Sequence, residues 1–189
     1  LYSTQYGAGA VFQSPIVDGV LFDSRNEFRV VNYQDSSYYP TVRDQTGEEF
    51  STVNTVTASV NAQLLVQATA YARFVSARTS YNAYDEFGGS ARATYFFFLP
   101  EMGLLAADSP WTLSLAGGGL YRGYDGPDPL INLTESEEDG AWWIEAGVSA
   151  PMHNGFSAFL TGQIRDQSSN YPTRDYVNAI VSVGVSKRF

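Results

Sequence analysis

From Val177 onward the chain alternates strictly between two kinds of side chain. Val177, Ala179, Val181, Val183 and Val185 share one parity, and Asn178, Ile180, Ser182, Gly184, Ser186 and Arg188 share the other. Successive side chains of an extended strand point to opposite faces, so this period of two predicts a strand with one apolar and one mainly polar face. The pattern recurs upstream. Phe156, Ala158, Leu160 and Ile164 oppose Ser157, Thr161, Gln163 and Arg165, and Trp142, Ile144, Ala146, Val148 and Ala150 oppose Glu145, Gly147 and Ser149. Trp111, Leu113, Leu115, Gly117, Gly119 and Tyr121 alternate with Thr112, Ser114, Gly118 and Arg122. Ala91, Ala93, Tyr95, Phe97 and Leu99 oppose Ser90, Arg92 and Thr94, with Phe96 and Phe98 interrupting the polar side. Leu64, Val66, Ala68, Ala70, Ala72 and Phe74 face away from Gln67, Thr69, Tyr71 and Arg73, and Val56, Ala58, Val60 and Ala62 from Thr55, Thr57, Ser59 and Asn61. The most charged run sets Asp23, Arg25, Glu27 and Arg29 against Phe22, Ser24, Asn26, Phe28 and Val30; the first sets Tyr2, Tyr6, Ala8, Ala10 and Phe12 against Ser3, Gln5, Gly7 and Gly9. About nine strands result, each near the length a tilted membrane-crossing strand needs.

The connections differ in length and charge. Asn154-Gly155 predicts a tight hairpin, because both positions of such a turn need a positive φ, and Asn61-Ala62-Gln63 is also short. The stretches 35–50 and 125–140 are long and acidic, with Asp35, Asp44, Glu48, Glu49, Asp125, Asp128, Glu135, Glu137, Glu138 and Asp139. Short turns on one side and long loops on the other are the arrangement of bacterial transmembrane barrels. The connection 100–110 departs from it by being longer than a turn.

Alternation alone does not separate a membrane barrel from a soluble two-sheet sandwich. No window holds the roughly 18 apolar residues a membrane-crossing helix needs, so only closed β structure could cross a bilayer here. Of the 189 residues 15% are aromatic and only 16% charged. Trp111, Tyr121, Trp142, Trp143, Tyr176 and Phe189 fall toward strand ends, where rings anchor at a membrane interface. The chain has no Cys and a net charge of −9. The first removes disulfides and thiolate metal sites; the second leaves no basic stripe for nucleic acid.

The chain closes on Phe189 after alternating Val181, Val183 and Val185. This resembles the C-terminal signature of bacterial outer-membrane β-barrel proteins, although the third residue from the end, often aromatic in that family, is Lys187. The resemblance implies an all-β, antiparallel up-and-down transmembrane β-barrel over residues 1–189, in the outer membrane of a Gram-negative cell. Val181, Val183, Val185 and Phe189 would then be the signal read by the barrel assembly machinery, and outer-membrane lipid and lipopolysaccharide the surroundings. The segments 165–170 and 174–178, with Tyr84-Asp85-Glu86, are also similar to the last hairpin of barrels joined to periplasmic helical repeats, among them surface lipoprotein assembly modifiers and polysaccharide exporters. Single-chain bacterial barrels have even strand numbers. Nine strands ending in the periplasm put the first strand's start outside the cell, so a further strand is expected upstream or from another envelope protein chain.

Asp23, Arg25, Glu27, Arg29, Arg73, Arg92, Arg122, Glu145 and Arg165 all fall on the polar parity and are the candidate lumen residues. They predict a mixed-charge interior with an arginine excess, able to attract anionic solutes; the alternative is an ion-pair ladder plugging a narrow barrel. The acidic loops read as solvated surface, without the ligand spacing of a calcium loop, and no metal or other cofactor is expected. His153, the single histidine, reads as a turn residue with no nucleophile in reach, so no enzyme is expected. Gly117-Gly118-Gly119 and Gly88-Gly89 lie inside strands, which makes them packing positions and not phosphate cradles. Two functions remain: a pore or export channel, and a non-conducting scaffold or adhesion protein whose acidic loops contact a partner.

Overall fold

The computed structural model describes residues 3–35, 41–106 and 109–187. Nine strands form one antiparallel sheet in chain order: β1 (Ser3–Val17), β2 (Val20–Tyr33), β3 (Gly47–Asn61), β4 (Leu64–Ala77), β5 (Tyr84–Phe97), β6 (Trp111–Tyr124), β7 (Glu138–Pro151), β8 (Phe156–Ser169) and β9 (Tyr176–Lys187). Each strand pairs with its neighbours in sequence, the up-and-down order expected from hairpin connections. The sheet is not closed: among the described residues β1 pairs only with β2, and β9 only with β8. An all-β, antiparallel, up-and-down fold is therefore present, and the two outer edges are unpaired. Pro15, which cannot donate to a ladder, sits on the edge strand β1 beside a register shift.

No second sheet packs on either face, so the described residues do not form a two-layer sandwich. The buried apolar residues are few: Ala83, Ala106, Ala116, Ala141 and Tyr171. Among the described strand residues, the register puts the polar parity of the sequence on one face and the apolar parity on the other. The apolar side is the exposed one. On the inner strands Leu113, Leu115, Ile144, Leu160 and Ile164 stand open, while the residues between them on the other face are mostly half-buried or buried. A flat single sheet would expose both faces equally, so the sheet bends around its polar face. Arg92 on β5 accordingly reaches past β6 to Glu145 on β7 across that face.

Aromatic rings form two bands on the apolar face, and Trp111, Tyr121 and Trp142 of the strand-end reading fall in them. Phe28, Phe50, Phe74, Phe87, Tyr121 and Trp142 make one, and Phe12, Phe22, Tyr95, Phe97, Trp111 and Phe156 the other. Each band steps along the strands as it crosses the sheet, so the strands run oblique to it, and Val, Leu, Ala and Gly fill most of the space between. Trp143 and Tyr176, expected with the anchoring rings, point instead to the polar face, because their register partners are Arg165 and Gln167.

Among the described residues, the connections after β2 (34–35 and 41–46), 78–83, 125–137 and 170–175 lie at one end, and 18–19, 62–63, the described parts of 98–110 and 152–155 at the other. Asn154 (φ 61) and Gly155 (φ 75) both take positive φ, and the Phe156 amide donates to the His153 carbonyl, as a tight Asn-Gly turn requires. The long 98–110 connection is tied to that turn. Leu105 bridges Met152, the Ala106 amide donates to the Pro151 carbonyl at 3.0 Å, and the His153 amide to the Leu104 carbonyl at 3.2 Å. The extra length is a strap across a neighbouring hairpin.

Two boundaries differ from the sequence reading. β3 begins at Gly47 and β7 at Glu138, so Glu48, Glu49, Glu138 and Asp139 are strand residues, not loop acids. Pairing with β2 and β6 extends these strands into acidic sequence that by itself reads as loop.

Candidate functional site: the polar face and its acidic end

All nine candidate residues occupy the polar face: Asp23, Arg25, Glu27 and Arg29 on β2, Arg73 on β4, Arg92 on β5, Arg122 on β6, Glu145 on β7 and Arg165 on β8. The arginine excess is not there. Glu49, Glu86 and Asp139 also face this side, and with Asp23, Glu27 and Glu145 they match the six arginines one for one. The three missing acids escaped the sequence reading because Glu49 and Asp139 sat in stretches read as loop, and Glu86 lay in a run with no clear alternation.

The charges form a continuous ladder near the end that carries the long loops. The Glu49 carboxylate, almost fully buried, accepts from Arg29 at 2.6 Å and from two nitrogens of Arg73 at 2.9 and 2.8 Å. The Arg73 guanidinium lies over one side of the Tyr84 ring and that of Arg122 over it as well, 5.6 and 4.8 Å from the centroid. Arg122 in turn donates to buried Glu86 through Nε at 2.8 Å and through Nη2, and to the Tyr124 hydroxyl at 3.3 Å. Gly88 leaves the space that the Tyr71 ring fills, since a Cβ there would stand 2.5 Å from the ring. The ladder thus spans β2 to β6 and stiffens one end of the polar face.

Elsewhere the pairs are looser. Arg92 reaches across β6 to Glu145 at 2.9 Å. Arg25 joins Asp23 at 3.1 Å with its own head exposed, and Arg29 also meets Glu27 at 3.3 Å. Arg165 Nε and one Asp139 oxygen are buried without a hydrogen-bond partner. Exposed surface pairs contribute little, whereas breaking a shielded one leaves charge uncompensated. Glu49→Gln is therefore expected to lower stability by about 1–2 kcal/mol, below the range for a fully buried pair because both arginines keep a third of their surface. The urea midpoint in detergent micelles measures it, with Glu27→Gln, at the exposed end of the same network, near neutral.

The acidic end is organised by the 125–137 loop docking on 170–175. Tyr171, only 1% exposed, donates its hydroxyl to the Glu135 carbonyl at 2.5 Å and accepts from the Asp128 amide at 3.3 Å. Asn170 accepts from the Glu138 amide and donates to the Ser136 carbonyl, both at 2.8 Å. Glu137 pairs with Arg174 at 3.4 Å. Burial, and then the neighbouring Asp139 charge, nevertheless push the Glu137 carboxyl above its ordinary 4.5. A raised pKa means that the docked loop favours the protonated acid. Its contribution is complete below pH 4.5 and is lost as pH rises through the raised value. Cleavage of the loop by a broad-specificity protease should thus be slower at pH 4.5 than at neutral pH after correction for protease activity, and Glu137→Gln should remove the difference.

His153 lies in the 152–155 turn with Nε2 3.3 Å from Glu101. Among the described residues no cluster of His, Cys, Asp or Glu is arranged to hold a metal ion. Val181, Val183 and Val185 form an exposed apolar row on β9, while Phe189 lies outside the described residues. No family model, curated protein or solved structure matches the chain.

Proposed function

We propose that the chain forms the wall of an outer-membrane β-barrel, with its polar face lining an aqueous path for a solute or an exported polymer. One observation carries this reading: a single sheet turns its hydrocarbon outward over nine strands, between two aromatic bands, and bends around a charged face. In water that arrangement would expose far more contiguous apolar surface than a monomer tolerates. In a bilayer it is the stable one. Lipid and lipopolysaccharide would meet the apolar face, the barrel assembly machinery would read β9, and further strands, from this or another envelope chain, would complete the wall. Closure is required because unpaired edges cannot persist in hydrocarbon.

The conductance of planar bilayers tests the pore. Neutralising Arg122 leaves Glu86 unopposed, and neutralising Arg73 leaves Glu49 with Arg29 alone, so Arg122→Gln and Arg73→Gln are expected to shift the reversal potential in a salt gradient toward cation selectivity. The second reading, a non-conducting scaffold or adhesion protein, draws support from the ion-pair ladder and the docked acidic loop, which together narrow one end. Silent bilayers containing correctly inserted protein would favour it.

A further inference from the structure

The apolar face is interrupted once in its centre. Ser24 and Asn26 on β2, and Thr52 and Asn54 on β3, lie between Phe22 and Phe28 and between Phe50 and Val56, at mid-strand and outward. Asn26 is the register partner of Thr52, and Ser24 of Asn54. Asn26 donates to the Ser24 hydroxyl and Asn54 to the Thr52 hydroxyl, both at 3.2 Å. Among the described residues neither amide oxygen has a donor. On the membrane reading, those acceptors face hydrocarbon, where no water can satisfy them. Three of the four register neighbours are small, with Ala10 beside Asn26, Ala72 beside Thr52 and Ala70 beside Asn54, while Phe12 stands beside Ser24 at the patch's edge. Small side chains let two surfaces approach closely, which is how membrane interfaces combine polar contacts with packing.

We propose that this patch is a homodimer interface within the bilayer, occupied by a second copy of this chain. The pattern carries the choice of partner. Two copies with the same membrane orientation can pair symmetrically only about a two-fold axis along the membrane normal, which sets residues of equal depth against each other. With that axis between β2 and β3, β2 of one copy faces β3 of the other, which brings Asn26 toward Thr52 of the second copy and Ser24 toward its Asn54. Both layers then match an acceptor with a donor, and every contact occurs twice. The row of Phe28, Phe50 and Phe74 forms a ridge along one border.

The proposal rests on the membrane reading, and its test separates the two. The protein, together with the strands that complete its wall, is labelled on this chain in two colours and reconstituted into phosphatidylcholine vesicles; protease protection reports insertion, and energy transfer at increasing protein-to-lipid ratio reports association. The inserted wild type is expected to show saturable transfer with two-copy stoichiometry, and Asn26→Leu with Asn54→Leu to weaken association about tenfold with insertion intact. Leucine at these sites suits hydrocarbon, and Val56→Leu in the same strand serves as a control expected to associate like the wild type. Inserted wild type without transfer, or a double variant that associates equally well, overturns the dimer and leaves the membrane reading standing. A chain that remains unprotected outside the vesicle overturns the membrane reading, and the dimer with it.

Discussion

On the proposed membrane reading, Leu115→Arg is expected to lower stability by about 2–4 kcal/mol, the cost of a cation on a lipid-facing wall near the midplane. Leu115 stands 59% exposed near the middle of β6, and its register neighbours Ala93 and Ala146 offer no counter-charge. The same substitution at Ser114, one residue away on the polar face, is expected to cost far less, because an arginine there meets water and the carboxylates of that face. Unfolding midpoints of the two variants in phospholipid bilayers supply the measurement. The contrast gives the experiment its force: if the apolar face were bathed in water, Leu115→Arg would be close to neutral, as exposed substitutions usually are. Equal small losses at both positions would sink the membrane reading.

Tyr171→Ala should undock the 125–137 loop. The ring is the largest side chain fully buried among the described residues, and removing a buried aromatic costs about 3–5 kcal/mol. Most of that cost falls on the local docked state and little on the sheet, whose ladders Tyr171 does not join, so strand content should be retained while the loop opens. A glutamate-specific protease reads the change directly, since Glu135 is held by the Tyr171 hydroxyl and Glu137 by burial. Tyr171→Phe keeps the packing and gives up one donor and one acceptor, and a smaller loss of about 1 kcal/mol follows. Unchanged cleavage in Tyr171→Ala would show that Asn170 and Arg174 hold the loop without the ring. In the conducting reading, the opened loop should also raise the current, because the docked loop lies over the acidic end.

The sequence and the structure agree where local physics decides. Alternation identified all nine strands and the correct face of Arg29, Arg73, Arg92, Arg122 and Glu145, since period two is a property of one strand and needs no partner. Asn154-Gly155 was legible for the same reason: the left-handed φ is demanded by the turn itself. Boundaries were not legible. Glu49 became a strand residue through pairing with Arg29, and once there it served as the anion for two arginines. Reading it as loop helped make the face look basic, an error of charge that arose from assigning Gly47–Phe50 of β3 to the 35–50 loop.

Trp143 shows the same limit from the other side. Its position near a strand end suggested a membrane anchor, yet parity alone already assigned it to the face opposite Trp142, and register set it against Arg165. The run read from the sequence placed Ser24 and Asn26 opposite the charged parity, and the next run began only at Thr55, so Thr52 and Asn54 were not read as strand positions. Only the β2–β3 register joined these four into one surface.

By itself, then, the sequence determined the all-β class, the strand count and the segregation of hydrocarbon from charge, because each follows from side-chain order along an extended backbone. The tertiary structure alone decided which charges meet, which loop is clamped, which way the sheet bends and that its edges are open. Those properties depend on distances between residues far apart in the chain, and hydrogen-bonded register, not sequence spacing, sets those distances.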